Sequence, residues 1–113
     1  MEKMFAEIQS EEAFNRLIEE KEGVLAYFST DTCNVCKVLK PKVADLVQEA
    51  FPELETVYVR SDVFPEVAGQ HRVFAAPTIL VFFGGRETIR KSRNIGLGEL
   101  RKEIQRPYSM VFS

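Results

Sequence analysis

Two uninterrupted apolar runs, Val24-Leu25-Ala26-Tyr27-Phe28 and Thr78-Ile79-Leu80-Val81-Phe82-Phe83, set the tightest limit on what this chain folds into. A strand with one face in water alternates apolar and polar residues, so a continuous run needs cover on both faces. Helical periodicity elsewhere supplies that cover. Ser10, followed by Glu11 and Glu12, reads as the start of a helix with Phe14, Leu17 and Ile18 on its buried face and Gly23 past its end. A second helix is predicted to start at Cys33, to carry Val38, Leu39, Val43, Leu46, Val47 and Ala50 at helical spacing, and to kink at Pro41.

The remaining segments complete an alternating pattern. Phe5 to Ile8 and Thr56 to Val59 read as strands, and Pro65 as the first turn of a short helix ending near His71. Gly84-Gly85 reads as a tight turn that folds Thr78 to Phe83 back on Glu87 to Lys91 as an antiparallel hairpin. A last helix runs from about Leu97 to Gln105 and is expected to stop at Pro107. The order βαβαβ, then ββα, predicts an α/β fold with one mixed central sheet and helices on both faces. His71 reads as a solvated surface residue with no assigned role, and the apolar tail Tyr108 to Phe112 is expected to pack on its own domain.

Size and charge exclude several classes of function. The 113 residues, 45% hydrophobic with nine phenylalanines, suit a single domain over residues 1–113. A formal net charge of −2 argues against general affinity for nucleic acid or an anionic membrane. The charge is unevenly placed, acidic from Glu2 to Glu22 and basic from Arg86 to Arg106. No stretch approaches the roughly 20 apolar residues of a membrane span, and Met1 to Phe5 lacks the apolar core of a signal peptide. A cytoplasmic protein is expected.

Cys33 and Cys36 are the chain's two cysteines and stand where a strand gives way to a helix. At a helix N-cap, the Cys33 sulfur faces free backbone N–H groups and the positive end of the helix dipole, which favour the thiolate that attacks disulfides. Val35, at the second helical position, has an N–H to offer such a cap. Cys36, near the same helix end, is placed to break a mixed disulfide on Cys33. Other uses of two cysteines fit less well. Zinc needs four ligands, and His71 is the one further candidate. The polar neighbours Asp31, Thr32, Asn34 and Lys37 argue against a purely structural buried pair. A bridging iron–sulfur cluster would need ligands from a second chain. No metal is expected, and no organic cofactor, since the chain lacks a dinucleotide-binding glycine fingerprint.

With these residues in view, the chain resembles the thioredoxin family over nearly its whole length. Besides the CxxC pair, Pro41 falls where that family kinks its active-site helix, and Gly85 and Gly96 match its hairpin glycine and the glycine before its last helix. Pro77, in Ala75-Ala76-Pro77-Thr78, matches the family's cis-proline, which lies beside the cysteines and helps to hold an extended substrate. Sequence pattern alone reads Pro77 as trans, the commoner state; the resemblance reverses that expectation. It further implies a thioredoxin fold, a substrate groove at Ala76 and Pro77, and catalysis by Cys33 and Cys36. The substrates implied are disulfides in proteins or small thiols, with a reductase or low-molecular-weight thiol as electron donor.

The chain also departs from the family. Thr32-Cys33-Asn34-Val35-Cys36 replaces the usual Trp-Cys-Gly-Pro-Cys, and the sequence has no tryptophan. Tyr27 aligns with the family's buried aspartate and Tyr58 with the lysine beside it. Losing both members of a buried ion pair strands no charge, whereas losing one would. The function expected is a cytosolic thiol–disulfide oxidoreductase in which Cys33 attacks and Cys36 resolves. A non-catalytic binding module or redox-sensitive latch using the groove near Pro77 is the competing reading, because a fold does not guarantee a function.

Overall fold

The two apolar runs lie side by side at the centre of the sheet. In a computed structural model that describes residues 5–112, strands β2 (Gly23–Ser29) and β4 (Thr78–Phe83) are buried along their whole length. They pair antiparallel, with Val24 opposite Phe82 and Tyr27 opposite Ile79. On the other side of β2 lies β3 (Glu55–Arg60), parallel to it, and beyond that β1 (Ala6–Glu7). On the far side of β4 lies β5 (Arg86–Ser92), joined by the Gly84-Gly85 turn. The sheet order is β1-β3-β2-β4-β5, a mixed sheet of the kind the element order predicts.

Alternation along β2 divides the interior into two cores. Leu25 and Tyr27 point to one face, with Ile79 and Val81, and are covered by Val43 and Val47 of α2 (Asn34–Ala50) and by Leu100 and Ile104 of α4 (Leu97–Phe112). Val24, Ala26 and Phe28 point to the other, beneath Phe14 and Ile18 of α1 (Glu11–Glu20) and Val67 and Ala68 of α3 (Pro65–Gln70). Ser10 caps α1 as expected, accepting the Ala13 N–H at 3.1 Å.

Lys21 closes α1, and Gly23 lies past its end, opening β2 where neighbours crowd in: a Cβ there would stand 2.7 Å from Leu54 Cδ2 and 3.0 Å from the Phe112 ring. Three local expectations need correction. The first strand is shorter than Phe5 to Ile8. Val38, expected among the buried positions of α2, is 61% exposed. Finally, α4 continues through Pro107 to Phe112. Proline removes one helical N–H, yet the extension lets Tyr108 pack 5.0 Å from Phe51 and 4.8 Å from Phe112, centroid to centroid. The Tyr108 hydroxyl also accepts the Glu53 N–H at 3.0 Å. Tertiary packing outweighs the local helix breaker, and the apolar tail packs on the fold it belongs to.

His71 is not the solvated residue its sequence context suggests. It caps the C-terminus of α3 and sets its ring edge-on to Phe14 and Phe82, with centroids 5.2 and 5.6 Å away. Its Nε2 is buried without a hydrogen-bond partner. Arg90 of β5 donates to the carbonyls of His71 and Arg72 and clasps Glu87, tying the hairpin to the end of α3. Burial lowers the His71 pKa, and Arg90 adds to this while Glu87 and Glu11 pull the other way.

The folded state therefore disfavours the imidazolium, and below about pH 6.5 the unfolded chain binds more protons. His71's contribution is fully present above that pH and declines as pH falls from there through its lowered folded value. Denaturant midpoints measured from about pH 7.5 down to about pH 5 should fall more steeply for the wild type than for His71→Gln. Parallel curves would contradict this assignment.

Candidate active site

The end of β2 delivers the cysteine pair to the start of α2. Cys33 N–H donates to the Thr30 carbonyl at 3.2 Å, and Cys33 is the N-cap of α2. Its sulfur is joined to that of Cys36 in a disulfide, with Cα atoms 5.3 Å apart. Cys33 is half-buried, whereas Cys36 is 2% exposed beneath it. Cys33 Sγ accepts the backbone N–H of Cys36 at 3.2 Å. That donor is the third helical residue, one beyond the Val35 N–H singled out from sequence; an N-cap side chain reaches either position. Asp31 and Arg60 form an ion pair that holds the loop before Cys33 to the end of β3.

Behind the cysteines the two tyrosines form a neutral network. Tyr27 is fully buried, and its hydroxyl donates to the Cys36 carbonyl at 2.7 Å. The β2–β3 register sets Tyr58 beside it, with rings stacked at 6.1 Å. The Tyr58 and Ser29 hydroxyls share a hydrogen bond at 2.6 Å, and the Lys40 ammonium lies 3.7 Å from the Tyr58 ring centroid. That contact is a cation–π interaction from the first turns of α2. Burial, and then the neighbouring Tyr58, push the Tyr27 pKa far above the ordinary phenol value, so this hydroxyl is a donor and not a base at neutral pH. Among the described residues no carboxylate is buried.

The third wall is the turn into β4. The Ala76–Pro77 peptide is cis. Thr78 Oγ1 donates to the Ala75 carbonyl at 2.7 Å, and Arg93 N–H donates to the Pro77 carbonyl at 2.8 Å. Since Thr78 pairs with Phe28 and with Ser92, the ends of β2 and β5 and the start of β4 share one edge of the sheet. Ala76 and Cys33 both lie half-buried against the same core. A groove of about 290 Å³ opens beside Ala76, lined also by Thr30, Val73 and Phe74. Phe74 is 85% exposed.

Sequence reasoning missed three features of this site. Phe74 carried no signal that would separate it from a core phenylalanine. The Tyr27 hydroxyl bond depends on the packing of α2 over β2. Arg93 adopts a left-handed backbone, φ +63°, which a non-glycine residue does not announce. Removing the buried Tyr27 hydroxyl with Tyr27→Phe should cost about 1 kcal/mol of stability, read from denaturant melts. No loss at all would mean that the bond to the Cys36 carbonyl contributes nothing net.

Comparison with known proteins places this arrangement. The thioredoxin family model matches residues 5–106. Thioredoxin-like protein YdfQ of Bacillus subtilis is 28% identical over 98 residues, covering 87% of each chain. The chloroplastic thioredoxin M-type of Chlamydomonas reinhardtii is 32% identical over 73 residues, 65% of this chain and 52% of that longer one. The X-ray structure of Fasciola hepatica thioredoxin superposes with a TM-score of 0.81 at 30% identity, covering 90% of this chain and 98% of that one. A matching family model across nearly the whole chain, the shared fold and a CxxC pair closed as a disulfide lead to one conclusion: the chain belongs to the thioredoxin family of thiol–disulfide oxidoreductases.

Proposed function

We propose that the chain, as a single domain in the cytosol, reduces or exchanges disulfides through a mixed disulfide on Cys33 that Cys36 resolves. The observation that carries this is the inequality of the two sulfurs. Cys33 is the accessible one and sits at a helix N-terminus with a backbone N–H donated to it, while Cys36 is covered. Both the hydrogen bond and the helix dipole favour the Cys33 thiolate over its thiol.

In the reduced protein, the Cys33 thiolate attacks one sulfur of the substrate disulfide. A Cys33–substrate disulfide forms, and the substrate's other sulfur leaves as a thiolate with the electron pair. The Cys36 thiolate then attacks Cys33 Sγ and displaces the second substrate thiolate, leaving the Cys33–Cys36 disulfide. The thiolates released take protons from solvent, and the Cys36 proton also passes to solvent, since Tyr27 is a donor rather than a base. A reductase or low-molecular-weight thiol returns two electrons to complete the cycle. Ala76, next to the cis-proline, borders the groove where an extended substrate would lie. The cytosolic setting is supported by the cysteine usage: a lone close pair suits catalysis in a reducing compartment better than a structural staple.

Turnover with a dithiol donor separates this reading from a binding module, which would bind stoichiometrically and stop. Cys33→Ser should reduce turnover to the uncatalysed background, and Cys36→Ser should accumulate a covalent adduct with substrate, read by mass. Full activity in Cys33→Ser would overturn the mechanism.

A further inference from the structure

Two shallow grooves border the cysteine motif on the outer side of α2 and share Val35 and Leu39 as a common wall. One, of about 330 Å³, is completed by Arg93 and Ile95 from the segment after β5. The other, of about 400 Å³, is completed by Val38 and Lys42 farther along the helix. Val35 and Val38 are 62% and 61% exposed and lie one turn apart, so they form an aliphatic strip in water beside Cys33. This strip is separate from the groove beside Ala76.

The charge on this surface has one sign. Arg93 and Lys42 line the grooves, and no carboxylate does. Among the described residues neither cation takes part in an ion pair, so both are free to meet a ligand's charge. Arg93 also holds its left-handed backbone here, anchored through its N–H to the Pro77 carbonyl.

We propose that this surface selects disulfides carried on protein segments whose neighbouring residues are aliphatic and acidic. Val35 and Val38 receive the aliphatic side chains, and Arg93 and Lys42 receive the carboxylates. From Val35 to Lys42 is two helical turns, about 11 Å, a distance that three or four residues of extended chain cover. A peptide segment therefore fits the surface better than a small thiol does. Unpaired cations speed the encounter with an acidic partner and slow that with a basic one. This selectivity rests on the reading of Cys33 as the attacking sulfur.

The test uses three peptides with the same internal disulfide and the same aliphatic neighbour, differing only in whether the flanking positions are Glu, Gln or Lys. Values of kcat/KM for the wild type should fall in the order Glu, Gln, Lys. The Glu-to-Lys ratio should be about tenfold or more at low salt and shrink towards one near 1 M salt. Arg93→Gln should lower that ratio several-fold and Arg93→Glu should reverse the order. Arg106→Gln removes the same charge from the exposed side of α4 and should leave the ratio at the wild-type value. A ratio cancels any general loss of activity. Equal rates on the three peptides, with turnover intact, would overturn the selectivity and spare the Cys33 mechanism; no reduction of any of them would overturn both.

Discussion

Burial of β2 on both faces is the constraint on which the other elements depend. A strand with no residue in water must be covered by helices above and below, and its alternating side chains must feed two separate cores. From Gly23 to Ser29 it is fully buried, with Leu25 and Tyr27 in one core and Val24, Ala26 and Phe28 in the other. Being sheathed, the strand ends at a defined place, and the next stretch of chain emerges at the sheet edge. The cysteine motif is that stretch.

The site sets a half-buried sulfur over a neutral, hydrogen-bonded base. Cys33 is held between the end of β2 and the first turn of α2, so its sulfur faces backbone N–H groups without any side-chain cation needed nearby. Behind it, Tyr27 and Tyr58 fill the space with rings and satisfy their hydroxyls on the Cys36 carbonyl and on Ser29. A buried charge pair would demand both of its members; two hydrogen-bonded phenols carry no charge to strand. The consequence is chemical as well as structural. In the proposed cycle Cys36 therefore passes its proton to solvent, since no carboxylate is buried among the described residues.

Much of this was legible in the residues. Continuous apolar runs, the Ser10 cap and the double-glycine turn each had one local solution, and the hairpin and parallel crossings came from their order. The position of Cys33 at a helix start was equally readable. Less legible were residues whose role depends on partners distant in sequence. His71 looks like a surface residue until Phe14 and Phe82 close over its ring. Pro107 looks like a helix stop until Phe51 and Glu53 supply contacts that favour continuing. Val38 falls at an apolar helical spacing, yet it lies outside the arc that the sheet covers.

The sequence by itself therefore determined the fold class, the order of elements and the pair of sulfurs, because periodicity, caps and turns are local properties. Tertiary structure alone decided the surroundings of those sulfurs. It set which cysteine is covered, bonded the Tyr27 hydroxyl to the Cys36 carbonyl, and brought Arg93 to Pro77 and to the edge of the Val35 groove. Burial, hydrogen-bond partners and local charge come from segments far apart in the chain, and only packing brings them together.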